Sequence, residues 1–297
     1  MNPSPTAIVV IGHGTTDPQG VNQFIELVAT LQSRDPLRKY YAGFMELAEP
    51  NMDDAIAQAV RDGHQEVLCQ PALLLTAGHA KNDLPARIRG IAAHHHGVNL
   101  RYGSPMELSA EIVALCAQQV RAAAPGLDFS GCTLLVVGRG TSDPDANSNV
   151  SKLARMLEEG LGFSESNVCY FSTTQPRLPQ GLERVASRVE GPIVVFPFIL
   201  FSGVLHEMLN AELRRVQALF PAARLLRANP FGSASDFADA FLLRIRAAID
   251  GNGDLPCLLC KFRSALPGRE HEVGTPQPSD HHHHHHHHHD GACGHTH

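Results

Sequence analysis

The chain has no excess of basic charge: 24 Lys and Arg stand against 30 Asp and Glu, a formal net charge of −6. That balance argues against nucleic acid or an anionic membrane as partner, because both select a basic face. No apolar run approaches the roughly 20 residues that cross a bilayer. The opening MNPSPTAIVVIGHG has no basic stretch ahead of its short apolar run, so AIVVIG reads as a buried strand and not as a secretory signal. The seven cysteines are scattered apart from one CxxC pair. An odd count without a secretory signal predicts reduced thiols in a cytoplasmic protein. IGHGTTD has neither the GxGxxG spacing of a dinucleotide turn nor a Walker sequence. Hydrophobic residues make up 43% of 297 positions, enough to bury a core and to fill about two domains.

What the chain does contain is a repeat. Gly12, Gly14, Thr15, Asp17 and Pro18 return 126 positions later as Gly138, Gly140, Thr141, Asp143 and Pro144. The same shift carries Pro50 onto Pro176, Pro71 onto Pro197, Thr76 onto Ser202, and Leu100 and Arg101 onto Leu226 and Arg227. A constant offset of this kind marks duplicated structural units. We read two homologous halves, 1–126 and 127–250, then a CxxC segment at 251–267 and a tail at 268–297.

Each half alternates strand and helix signals. AIVVIG, KYYAGFME, EVLCQPALLL and VNLRYG are strands of the first half, and TLLVVG, NVCYFS, GPIVVFPFILF and RLLRAN are strands of the second. Helices are expected over residues 19–33, from about Asn51 to Gly63, over NDLPARIRGIAAHHH with Pro85 in its first turn, and over ELSAEIVALCAQQVRAA. His94, His95 and His96 suit a helix C-terminus. The pattern predicts an α/β protein with parallel sheets and right-handed crossovers.

Ligands in such sheets bind at the carboxyl ends of strands. His13 falls there after the first strand, Glu46 and Glu49 after the second, and His79 after the third. A lone histidine in that turn would more often serve only the turn, but a second one past another strand shifts the balance. Two imidazoles suit a borderline divalent ion such as Co(II), Ni(II) or Fe(II), and they also accept protons near neutral pH. Glu46 and Glu49 read either as solvated loop acids or as site carboxylates. Lys81 and Asn82 read first as helix starters. Backbone N–H groups near Thr15 and Thr16 face a helix start, where an anion could sit.

In the second half His13 becomes Arg139, His79 becomes Leu205, Glu46 becomes Ser172 and Glu49 becomes Gln175, while His206 lies one place out of register. The turns are kept and the chemistry is not, which predicts one active half and one supporting half. Arg139 would add a positive charge against substrate carboxylates.

IGHGTTD, FMELAEP and QPALLLTAGHAKNDLP, with the paired halves, resemble the long-form sirohydrochlorin cobaltochelatases of the CbiX type, class II chelatases, over about residues 6–263. The resemblance implies two homologous lobes, each a parallel four-stranded sheet flanked by helices, with a tetrapyrrole held in the cleft between them. It implies that His13 and His79 are the catalytic and metal-binding pair. The reaction implied is Co(II) plus sirohydrochlorin giving cobalt-sirohydrochlorin and two protons, without ATP, early in cobalamin synthesis. Glu49 would orient an imidazole or relay a proton, and Thr15, Thr16, Glu46 and Arg139 would hold the macrocycle. The rivals are a ferrochelatase or nickelochelatase and, from another class, a metal or tetrapyrrole carrier. A monomer or a homodimer is expected.

Family members can carry MxCxxC near Cys257 and Cys260, holding an iron–sulfur cluster; here the methionine position is Leu255. Two thiolates cannot fill four cluster positions, so Cys293, other ligands or a second subunit would be needed. The tail holds His281, His282, His283, His284, His285, His286, His287, His288 and His289, then His295 and His297. Imidazoles in such number bind Co(II), Ni(II) and Zn(II) in shifting arrangements, so a metal-holding tail, disordered without metal, is expected.

Overall fold

The apolar runs form strands where expected. β1 (Ala7–Gly12), β2 (Tyr40–Phe44), β3 (Glu66–Pro71) and β4 (Asn99–Tyr102) alternate with α1 (Pro18–Arg34), α2 (Met52–Arg61), α3 (Leu84–Ala92) and α4 (Ala110–Ala123). The second half repeats the plan. Its strands are β5 (Thr133–Gly138), β6 (Glu165–Tyr170), β7 (Ile193–Pro197) and β8 (Leu225–Arg227). Its helices are α5 (Pro144–Leu161), α6 (Leu178–Ala186), α7 (Val204–Leu219) and α8 (Ser235–Ile249). The structure is a computed structural model and describes residues 6–232, 235–251 and 270–275. Cys257, Cys260, Cys293 and the histidines from His281 onward lie outside the described residues.

Both sheets are wholly parallel, with strand orders β2-β1-β3-β4 and β6-β5-β7-β8. Covering both faces of a parallel sheet requires continuous apolar strands, and every residue of β1 and β5 is buried. Alternate side chains serve different cores. Ile8 and Val10 face inward with Phe24 and Leu31 of α1, whereas Val9 and Ile11 face outward onto Ile56 of α2 and Ile88 of α3. Leu134 and Val136 repeat the inward set, and Leu135 and Val137 meet Leu182 of α6 and Leu209 of α7.

The inner core belongs to both halves at once, running through Leu115 of α4, Leu153 of α5, and Phe237 and Phe241 of α8. The last helix of each half reaches across to the other. α4 packs on α5 and β7, and α8 packs on α1 and α4. Polar contacts fix the crossing: Arg34 of α1 pairs with Asp239 at 2.7 Å, and Arg244 of α8 donates to Pro105 O at 2.8 Å. Arg101 of β4 donates to Ala248 O and Ile249 O at the α8 C-terminus, where a cation is favoured. Among the described residues no helix is long and apolar enough to cross a membrane.

β3 and β7 end at Pro71 and Pro197, short of the EVLCQPALLL and GPIVVFPFILF runs, and the start of α3 also departs from expectation. Pro85 does sit in the first turn of α3, but a π-helical turn, His79–Asp83, precedes it. Single π turns inserted before or within helices recur at functional sites because they redirect side chains.

Candidate functional site

The site is built where β1, β2 and β3 end. The chain after β2 folds back onto the end of β1: Met45 N donates to Gly12 O at 2.9 Å and Glu46 N to His13 O at 3.2 Å. This brings the Glu46 side chain beside His13. The close approach demands glycine at position 14, where φ is +100° and a Cβ would lie 1.7 Å from the Glu46 carbonyl oxygen. The second half is zipped the same way. Phe171 N donates to Gly138 O and Ser172 N to Arg139 O, both at 2.9 Å, and a Cβ on Gly140 would lie 1.9 Å from Ser172 O.

The His13 and His79 rings meet edge to face, with centroids 5.0 Å apart and planes at 83°. Both are reachable, with side chains 23% and 20% exposed. Nδ1 of His79 lies 2.7 Å from Asp83 Oδ2, four residues on. A carboxylate there fixes the ring and holds the proton on Nδ1, which turns Nε2 into the basic atom. Around His13 the carboxylate lies at Nε2 instead of Nδ1. Its Nε2 is 3.2 Å from Arg139 Nη2 and 3.5 Å from Glu46 Oε1, and its Nδ1 is 3.3 Å from Gly14 O. A guanidinium can only donate, so Nε2 accepts and the proton sits on Nδ1 towards the Gly14 carbonyl. Arg139 reaches this point from the other lobe. Protein atoms crowd its guanidinium and lower its pKa, Glu46 opposes that shift, and part of the residue still meets solvent.

Two donors held about 2.1 Å from one first-row ion are themselves about 3.0–3.4 Å apart. The His13 Nε2–Glu46 Oε1 separation of 3.5 Å is close to that value. Among the described residues no group of three or more His, Cys, Asp and Glu side chains is gathered into a metal cage. The arrangement is open: two facing imidazoles with a carboxylate beside His13, all partly exposed.

The structure does not bring Glu49 to the histidines. It is exposed, and its Oε2 accepts from Asn51 N at 2.7 Å, beside the Asn51 cap of α2. In the second half Gln175 Oε1 accepts from Arg177 N at 3.1 Å, the same contact in the half that lacks the facing histidine pair. Glu49 therefore shapes a turn that both lobes need. Thr15 is similar: its Oγ1 accepts from Asp17 N at 3.1 Å, as Thr141 Oγ1 accepts from Asp143 N at 3.2 Å. Thr16 is exposed next to it.

Two residues carry more than the pattern indicated. Asp83, the partner of His79, is spaced i,i+4 from it, a spacing that places two side chains on one helical face and was readable. Lys81 is not simply a helix starter. Its Nζ lies 2.6 Å from Asp143 Oδ2 and 3.3 Å from Asp145 Oδ2, with Lys81 and Asp143 almost fully buried. That ion pair ties the π turn holding His79 to the start of α5, just past Arg139. Nothing in sequence spacing announces a contact between lobes. His206 stands apart from the pair, against Arg227; burial and that guanidinium hold it below the ordinary histidine range.

The CbiX family model matches this chain twice, over residues 7–123 and 133–248. The sirohydrochlorin cobaltochelatase of Priestia megaterium is 29% identical over 263 residues, 88% of this chain and 85% of that protein. The sirohydrochlorin ferrochelatase of Bacillus subtilis (strain 168) is 25% identical over 240 residues, 81% of this chain and 90% of that protein. Among solved structures, SirB from Bacillus subtilis with Fe3+ aligns with a TM-score of 0.74 at 25% identity, covering 84% of this chain and 98% of SirB. The two matches fall on the two lobes, and on that ground the chain belongs to the CbiX family.

Proposed function

We propose that the chain inserts Co(II) into sirohydrochlorin without ATP, on the route to cobalamin. The observation that carries this reading is the facing pair His13 and His79, lodged beside Glu46 and Arg139 where the strands of one lobe end and the other lobe begins. The ion is a substrate: it must arrive, lose water, pass to four pyrrole nitrogens and leave with the product. An open site suits this better than a closed four-ligand cage, which would retain the metal.

The residues divide the work. His79, held by Asp83, presents Nε2 as a metal donor or as acceptor for a pyrrole proton. His13 presents Nε2 opposite, with the Glu46 carboxylate beside it to share the positive charge. Two protons leave the macrocycle, and an unprotonated imidazole nitrogen on each histidine can accept one and pass it to water. Arg139 offers a guanidinium to the peripheral carboxylates of sirohydrochlorin. Leu47, next to Glu46, is 61% exposed and gives a flat macrocycle an apolar surface to rest on.

A sirohydrochlorin ferrochelatase is the second reading. SirB structures with Fe3+ and with cobalt both align with this chain at 25% identity, and ligand type alone does not choose between neighbouring first-row ions. Purified protein is mixed with sirohydrochlorin and Co(II), Fe(II) or Ni(II) in turn, and insertion is followed by the shift of the absorption bands. Cobalt insertion well above the spontaneous rate is expected. Tight binding with no acceleration for any ion would leave only a carrier.

A further inference from the structure

The contact between Arg139 and His13 has a consequence for the order of events. Arg139 Nη2 lies 3.2 Å from His13 Nε2, and a guanidinium has no acceptor to offer. The Nε2 lone pair is therefore directed at the guanidinium, and it is the lone pair a metal ion would take, since the other ring nitrogen faces Gly14 O. The same guanidinium places a full positive charge where a dication must approach. Two like charges at contact distance repel appreciably even in water. The two groups come from different lobes: His13 follows β1, and Arg139 follows β5 at the equivalent turn. Arg139 also keeps a solvent-facing surface, so an incoming carboxylate can reach it.

We infer that Arg139 couples tetrapyrrole binding to metal binding: a peripheral carboxylate of the macrocycle draws the guanidinium off His13, and only then does the Nε2 lone pair turn to the ion. This rests on the proposed insertion reaction and adds to it an order, macrocycle before metal. Arg139 acts on the ion through His13 and on the macrocycle directly. The coupling is reciprocal, as linkage requires.

The test measures initial insertion rates by the full-length chain over a grid of Co(II) and sirohydrochlorin concentrations. In the wild-type chain the apparent KM for Co(II) should fall as sirohydrochlorin rises. In Arg139→Met, the KM for Co(II) at low sirohydrochlorin should drop about tenfold, equivalent to about 1.4 kcal/mol, and should no longer depend on sirohydrochlorin. The KM for sirohydrochlorin should rise in the same variant. Opposite movements of two KM values are not what general damage to the fold produces. Arg139→Lys, which keeps charge and donors, should retain most of the coupling, and Arg139→Gln serves if the methionine variant does not fold. A wild-type KM for Co(II) that ignores sirohydrochlorin, or an Arg139→Met KM for Co(II) that stays or rises, overturns the inference while leaving insertion itself intact.

If the wild-type chain inserts no metal, the proposed reaction fails and a binding titration still decides the contact. Co(II) binding to each chain is measured against the same chain carrying His13→Ala, which subtracts every other donor. The His13-dependent component should tighten about tenfold in Arg139→Met, by the same 1.4 kcal/mol; an unchanged component overturns the role of the guanidinium.

Discussion

The two lobes share a backbone and divide the chemistry. Both zip their second strand-end loop onto their first, both place a glycine under a carbonyl oxygen, and both cap the first helix with an aspartate. Where the first lobe has His13, Glu46 and His79, the second has Arg139, Ser172 and Leu205. The second lobe is nevertheless not passive. Arg139 reaches back to His13, and Asp143 with Asp145 receives Lys81. Interactions present in both lobes hold the fold, and interactions present in one lobe or between the two are the ones to examine for function. A duplicated chain thus carries its own control.

The largest effect should come from removing what only the first lobe has. His13→Ala and His79→Ala are each expected to lower cobalt insertion roughly 100- to 10,000-fold at saturating metal, the usual worth of a positioned acid–base group. Leu205→Ala and Ser172→Ala, at the equivalent places of the second lobe, should leave the rate near wild type. Equal losses in both lobes would end the division of labour.

Next in size is the clamp between lobes. Lys81→Met would leave Asp143 and Asp145 facing each other in a buried place, and breaking such a pair costs about 3–5 kcal/mol. Denaturant titration reads this directly. The equivalent position is Glu207, exposed on α7, and Glu207→Met should change stability by no more than about 0.5 kcal/mol. A clamp variant as stable as wild type would mean that the shared apolar core and the polar contacts of α8 hold the lobes together without it.

Most of the fold was legible because parallel strands buried on both faces write continuous apolar runs, and because the duplication printed each turn twice. The site was legible in part. His13 and His79 stood at strand ends, and the structure sets their rings 5.0 Å apart. Glu46 and Glu49 could not be separated by position, because both follow the same strand; only the backbone pairing of Glu46 N to His13 O decides which side chain reaches the imidazole. The exchange of α4 and α8 between halves was not legible either. An amphipathic helix announces that it buries a face, but not which sheet covers it.

Asp83 supplies a smaller and sharper test. Its carboxylate holds the His79 ring through Nδ1 at 2.7 Å. Partners of this kind are worth about 10- to 100-fold in metal affinity or activity. Asp83→Asn should lower insertion within that range. Because the amide can still turn its oxygen to Nδ1, Asp83→Asn should lose less than Asp83→Ala. If both variants match His79→Ala, Asp83 is a participant in its own right and not a support.

The smallest effect is expected from Glu49→Gln, which copies the second lobe into the first. Gln175 shows that an amide oxygen accepts the backbone N–H at this turn as a carboxylate does. The substitution keeps that hydrogen bond and removes one charge near the start of α2, where an anion is favoured by a few tenths of a kcal/mol. Stability should therefore shift by no more than about 0.5 kcal/mol, and insertion should proceed at the wild-type rate. Glu46→Gln is the partner experiment. It leaves the backbone pairing to His13 untouched and takes the charge from beside the imidazole, so its insertion rate should fall while its stability holds. If Glu49→Gln lost the rate and Glu46→Gln kept it, the carboxylate that serves the reaction would be the one at the turn. The contact it shares with Gln175 would then be a scaffold put to a second use in the first lobe only.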